Sequence, residues 1–193
     1  MKSRIRKCIL SSVDNYTRVL NDENIQETLL KIVELSVKAF KDDKKILFCG
    51  NGGSASDAQH IAAELSGRFY ANRPPLYAEA LHVNSSYITA VANDFGYDET
   101  YSRILEACGR QGDVLFGIST SGNSPNVIKA LKKANEIGLK TIGFTGIKGG
   151  DMNSICDIII KVPSDDIPRI QEAHILFGHI ICQLIEEEMF PNA

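Results

Sequence analysis

The sequence predicts an α/β fold: a doubly wound, five-stranded parallel sheet with helices on both faces and additional N- and C-terminal helices. Three observations lead there. Short apolar runs alternate with segments whose apolar residues recur at helical spacing, the order that builds βαβ units. The first of these runs ends in the glycine-rich Gly50-Asn-Gly-Gly-Ser54 and passes directly into a helical pattern, a strand, tight loop and helix in succession. The same grammar then repeats to near the end of the chain, and right-handed crossovers between parallel strands place the intervening helices on both faces of the sheet.

Element by element, residues 3–20 and 24–42 carry apolar positions at i, i+3, i+4 and i+7 (Ile5, Cys8, Ile9; Ile25, Leu29, Ile32, Val33). Two amphipathic helices therefore open the chain, broken at Asn21-Asp22. After the charged stretch KDDKK, Ile46–Cys49 reads as the first strand and Ser54 to about Arg68 as its helix. Ala78–Val83 is the next strand, before a helix near Ser85–Ala92, and Val114–Ile118 precedes a loop and a helix over Pro125–Ile137. Thr141–Phe144 is the fourth strand, Gly149-Gly150 turns into a short helix, and Ile158–Val162 is the fifth strand. A long helix closes the chain from Pro168 to about Met189, with proline in the first turn as helices favour. No repeat, low-complexity tract or linker stands out, so residues 1–193 read as a single domain. Within it lie an N-terminal helical extension (about 1–43) and a C-terminal helix (about 168–190), which either cover the sheet or form a subunit interface.

Composition narrows the function. With 44% apolar residues the chain can bury an ordinary core. A net charge of -3, with no Lys/Arg run longer than a pair, lacks the footprint of a nucleic-acid binder. The five cysteines form no CxxC pair or His/Cys cluster and read as free thiols of a reducing compartment. The N-terminus lacks the long apolar run and cleavage site of a signal peptide, and no segment approaches the ~20 apolar residues that cross a bilayer. The expectation is a cytoplasmic protein with neither membrane nor nucleic acid as partner.

The segment Gly117-Ile-Ser-Thr-Ser-Gly-Asn-Ser-Pro leaves a strand and enters a helix. Ser119, Thr120, Ser121 and Ser124 set hydroxyls beside the free N–H groups of a helix N-terminus, a cradle for phosphate without a lysine. A helix cap by Ser124 or Asn123 accounts for one polar residue, not four hydroxyls in six positions. The first loop lies at the equivalent end of its own strand: Gly52 and Gly53 let backbone approach a ligand, and Asn51 and Ser54 add polar groups. It lacks the dinucleotide spacing and the P-loop lysine, so no nucleotide is implied. In the following helix His60 and Glu64 share a face one turn apart, able to bind a metal, trade protons or simply pair. Gln171, His174 and His179 lie in the otherwise apolar last helix, where a buried polar group must find partners.

Taken together, GNGGSASDAQHIAAELSGRF, AVANDFGY, GISTSGNSPNVIKAL and RIQEAHILFGHIICQLIEEEMF resemble, in order and almost end to end, the phosphoheptose isomerase family of the sugar-isomerase (SIS) domain superfamily, whose sheet is flavodoxin-like. The resemblance implies conversion of sedoheptulose 7-phosphate to D-glycero-D-manno-heptose 7-phosphate, on the way to bacterial lipopolysaccharide or capsule. It implies substrate contacts from Asn51, Gly52 and Gly53 in one loop (with Ser54 beside them), Asn93 and Asp94 in a second, Ser119, Thr120, Ser121 and Ser124 around the phosphate, and Gln171 and Glu64. It also implies one zinc per subunit on His60, Glu64, Gln171 and His179, and a homotetramer with active sites at subunit interfaces. Aldose–ketose exchange needs a base for the carbon-bound proton and an acid for the oxygens; Glu64 and His179 fill those roles. Gln171 and His179 stand eight residues apart, ~12 Å along a regular helix, so ligation of one ion by both implies an irregular helix, leaning side chains or more than one subunit. Arg68 and Arg73 either reach substrate across such an interface or are solvated. The alternative is a non-catalytic SIS protein that binds the replication initiator, a type in which the positions of Glu64 and His179 hold other residues.

Overall fold

The computed structural model describes residues 1–192. Helices α1 (Lys2–Leu20) and α2 (Glu23–Lys41) open it, and the break between them is a built cap: Asp22 accepts from the N–H groups of Asn24 and Ile25. Then follow β1 (Ile46–Gly50), α3 (Gly53–Ser66), β2 (Ala78–Ala80), α4 (Ser85–Phe95), α5 (Thr100–Cys108), β3 (Val114–Ile118), α6 (Pro125–Glu136), β4 (Lys140–Thr145), β5 (Ile158–Lys161) and α7 (Ile167–Met189). Turns of 3-10 helix occupy Tyr97–Glu99 and Gly150–Ser154.

All strand pairs are parallel, in the order β2-β1-β3-β4-β5. Alternate residues of each strand feed the two faces. Ile46, Phe48, Phe116 and Phe144 pack with α2, α3 and α7, while Leu47, Cys49 and Leu115 pack with α5 and α6. Phe48 and Phe116, in register on adjacent strands, stack at 4.8 Å, and Phe116 meets Phe144 at 5.7 Å. The sheet is thus the doubly wound one the alternation implies.

Two expectations need correction. The second strand, expected over Ala78–Val83, is three residues long: it is the edge strand, paired only with β1, and the chain leaves it for the Asn84 cap of α4. Helix α5 is absent from the sequence reading. It has nine residues and no side-chain cap, and only the turn around Tyr97–Glu99 separates it from α4, so its signal merges with its neighbour's.

Helix α7 crosses the face lined by α2 and α3. Ile170, Ala173, His174, Phe177, Ile181 and Ile185 make its buried stripe. His174 is completely buried; its Nε2 lies 3.2 Å from the Thr145 carbonyl and its Nδ1 has no partner. Burial pushes this imidazole down to about 4, partly offset by the Thr145 carbonyl. The folded protein therefore holds His174 neutral where the unfolded chain, near its ordinary 6.5, takes up a proton. The stability this contributes is complete above pH ~6.5 and is lost as pH falls from there toward ~4. His174→Gln should flatten the fall in urea midpoint between pH 7 and pH 5; an unchanged slope would contradict the assignment.

Candidate active site

The chain reverses its direction of travel across the sheet between β1 and β3, and the loops leaving those two strands face one crevice, the place where open α/β sheets bind ligands. In the loop after β3, Ser119 Oγ lies 3.0 Å from Ser124 Oγ and 3.4 Å from Ser121 Oγ. Ser124 occupies the N-cap of α6, yet its hydroxyl makes no capping bond, so capping does not account for this cluster. Three hydroxyls thus converge at a helix N-terminus, the donor arrangement an oxyanion requires. Thr120 is half-buried beside them and lines a neighbouring cavity of about 350 Å³ with Ser121, Lys148 and Ser164.

The loop after β1 is tied to the first turn of α6. Asn51 Nδ2 donates to Asn126 Oδ1 at 2.8 Å, and Asn126 Nδ2 donates back to Asn51 Oδ1 at 2.9 Å. Tyr97 Oη donates to Asn51 Oδ1 at 3.1 Å, and Tyr101 Oη donates to the Gly50 carbonyl at 2.5 Å. Gly52 is exposed at the mouth. Ser54 is buried in the first turn of α3, its N–H spent on the Asn51 carbonyl. Asn93 and Asp94 lie on the last turn of α4, not in a loop as expected; both are exposed, and Asn93 Nδ2 donates to Asp94 Oδ1 at 2.8 Å.

His60, Glu64 and His179 meet where α3 crosses α7. The helices pack closely because Gly178 has no side chain: a Cβ there would fall 2.5 Å from Ile61 Cδ1. His60 Nε2 stands 3.1 Å from Glu64 Oε1 and 3.5 Å from His179 Nε2, and one ligand atom from each of the three residues lies within 4.8 Å of the others. Bonds of about 2.1 Å at tetrahedral angles set neighbouring ligand atoms about 3.4 Å apart, close to the two separations at His60 Nε2, so the three residues are placed to hold a metal ion. Gln171 is elsewhere: its amide packs on Gly53, where a Cβ would meet Nε2 at 2.6 Å. Contacts at Gly53–Gln171 and Ile61–Gly178 run in the same sense along both helices, and α7 is regular from Ile167 to Met189. Within one chain, then, Gln171 lies about two helical turns from His179, and the expected four-ligand set is here a set of three.

Arg73 is neither solvated nor free to reach a substrate. Its side chain is 1% exposed and its Nε donates to Glu186 at 3.0 Å, while its other nitrogens donate to the carbonyls of Glu64, Leu65, Gly67 and Pro74. Glu186 also accepts from the N–H groups of Tyr70 and Ala71, each at 2.8 Å. Burial opposes the charge on Glu186, but those N–H groups and Arg73 outweigh it and hold its carboxyl below the usual range. The pair fixes the end of α3, and with it the backbone of Glu64. Arg68 is exposed.

Asn126, Tyr97 and Asp57 escaped the sequence reading. Asn126 had a local signal, a polar residue directly after Pro125 in a helix turned toward the sheet. Tyr97 had only its place beside Gly96. Asp57 lies one turn before His60; burial pushes its carboxyl up to about 6, with nearby His60 pulling the other way, and its Oδ2 has no partner.

The SIS domain family model matches residues 11–146. A phosphoheptose isomerase of Aliarcobacter butzleri is 53% identical over 98% of this chain and 99% of that protein. One from Clostridium acetobutylicum is 50% identical over 98% and 97%. The structure of a phosphoheptose isomerase from Neisseria gonorrhoeae superposes with a TM-score of 0.90 at 40% identity, covering 96% of this chain and 98% of that one. With the crevice, the hydroxyl loop and the His60–Glu64–His179 cluster in place, the chain belongs to the phosphoheptose isomerases of the SIS domain family.

Proposed function

We propose that the protein converts sedoheptulose 7-phosphate to D-glycero-D-manno-heptose 7-phosphate. The observation that carries this reading is the convergence of Glu64 and His179, one carboxylate and one imidazole from two helices, on a single point. Glu64 takes the proton from C1 of the ketose while His179 protonates the C2 oxygen, giving an enediol. His179 then accepts the proton of the C1 oxygen, and Glu64, whose proton exchanges with solvent, protonates C2. The Ser119, Ser121 and Ser124 hydroxyls, with Thr120, hold the phosphate; Asn51, the exposed backbone of Gly52 and Gly53, Asn93, Asp94 and Gln171 hold the sugar, and Ser54 supports the first loop from within.

His60, Glu64 and His179 form the metal site, with zinc as the fitting ion; zinc bound there supplies a Lewis acid that polarises oxygen. Glu64 lies eleven residues along α3 from Gly53, about 16 Å of rise, so within one chain it is well separated from the glycine loop. That separation supports an active site assembled between subunits of a homotetramer, with Gln171 reaching the metal from another chain. In support, α1 leaves Ile5, Ile9, Val13 and Leu20 exposed along one face. The cytoplasm is the fitting compartment, with neither nucleic acid nor membrane as partner; among the described residues no helix is long and apolar enough to cross a membrane, and all five cysteines are free.

The test is steady-state turnover of sedoheptulose 7-phosphate, with and without chelator, together with the mass of the assembly in solution. Aldose formation by a tetramer supports the reading. A folded oligomer that binds the sugar phosphate and never turns it over would favour the regulator that binds the replication initiator; the presence of both Glu64 and His179 speaks against that.

A further inference from the structure

The amide orientations at the crevice are not free choices. Val127 N–H, a donor that cannot be reversed, donates to Asn126 Oδ1 at 3.0 Å. This fixes which end of the Asn126 amide is oxygen, and so makes Asn51 Nδ2 the partner of that oxygen and Asn51 Oδ1 the partner of Asn126 Nδ2. An amide oxygen has two lone pairs. One takes Asn126 Nδ2; the other takes the Tyr97 hydroxyl at 3.1 Å. Tyr101 Oη stands 3.4 Å from the same oxygen but gives its own proton to the Gly50 carbonyl. Of the two Asn51 N–H bonds, one is used by Asn126 and one is left over. Asn51 therefore offers a ligand a single donor and no acceptor.

Tyr97 is the one half-exposed member of this network, at 50% exposure beside buried Asn126 and Tyr101. It sits on the 3-10 turn between α4 and α5, and that turn is pinned to α6 by Lys129, whose Nζ donates to Glu99 at 2.7 Å. Its hydroxyl thus reaches Asn51 from a clamped segment.

We propose that Tyr97 is a positioning residue: by occupying the last lone pair of Asn51 it locks that side chain as a donor-only contact, so the crevice recognises an acceptor oxygen of the sugar phosphate. The inference rests on the reading of Asn51 as a substrate contact.

It is tested with Tyr97→Phe, Asn51→Ala and the double variant, reading KM and kcat for sedoheptulose 7-phosphate, and its dissociation constant by calorimetry. Tyr97→Phe removes one neutral hydrogen bond at a half-exposed site, so affinity should fall about five-fold with kcat nearly unchanged. Asn51→Ala should weaken binding about ten-fold, and the double variant should be no weaker than Asn51→Ala alone. A Tyr97→Phe effect that persists undiminished in the Asn51→Ala background would mean that the hydroxyl touches the substrate itself, overturning the positioning role; so would no effect in the single variant. Full affinity in Asn51→Ala would instead remove the reading on which the inference rests. Because binding is read separately, a wild type without turnover would sink the isomerase assignment and leave the Tyr97 result interpretable.

Discussion

Glu64→Gln should lower turnover of sedoheptulose 7-phosphate by about 10³-fold while leaving a folded protein that still binds the sugar phosphate. The amide keeps the size of the carboxylate and a hydrogen-bonding group opposite His60, which stands 3.1 Å away, but cannot accept the carbon-bound proton. The loss belongs in kcat, since the Ser119–Ser124 loop proposed to hold the phosphate is untouched. Metal content, measured on the same sample, separates two explanations. Loss of activity with the ion retained places the effect on proton transfer; loss of both identifies Glu64 chiefly as a ligand. Turnover within a few-fold of wild type would remove Glu64 from the reaction altogether.

The second large effect is on stability. Arg73→Ala leaves the Glu186 carboxylate buried and without its cation, and strips four carbonyls of a donor. Breaking a buried pair by removing one partner costs about 3–5 kcal/mol, a loss to be read as a drop in the urea midpoint. Replacing both partners, as Arg73→Met with Glu186→Leu, should cost less than Arg73→Ala, because no orphaned charge remains, although the Tyr70 and Ala71 N–H groups lose their acceptor. A single-variant cost under about 1 kcal/mol, the range of an exposed pair, would contradict the burial described here. Since Arg73 also holds the Glu64 carbonyl at 2.8 Å, activity should fall alongside stability.

How much of this was legible in the sequence follows from the range of each signal. Strands β1, β3, β4 and β5 are apolar runs bounded by turn residues, and α2, α6 and α7 carry their buried stripes in the local period, so each announced itself. Helix α5 did not: it is short, uncapped and contiguous with its neighbour. The pairing of His60 with Glu64 could be read from i,i+4 spacing. Their meeting with His179 could not, because it depends on α3 and α7 approaching through Gly178 and Ile61, more than a hundred positions apart in the chain. The same holds for Arg73 with Glu186, and for the network joining Asn51, Tyr97 and Asn126: a long-range pair leaves no periodic trace. The hydroxyl loop could be read from four hydroxyls in six positions before a helix, whereas the role of Gln171 came only from resemblance to a known family. In the structure Gln171 packs on Gly53, away from the triad, and α7 is regular, which leaves ligation from more than one subunit among the routes by which all four residues could share one ion.

On the proposed mechanism Glu64 takes a proton from C1 of the ketose, exchanges it with solvent and delivers one to C2. This role is tested most directly by running the reaction in deuterated water and following the product by NMR. Deuterium is expected at C2 of the heptose 7-phosphate formed by the wild type, because the enediol is reprotonated by a group that exchanges with solvent, and no labelled product is expected from Glu64→Gln. Aldose formed at the wild-type rate with labelled C2 by the glutamine variant would contradict that role.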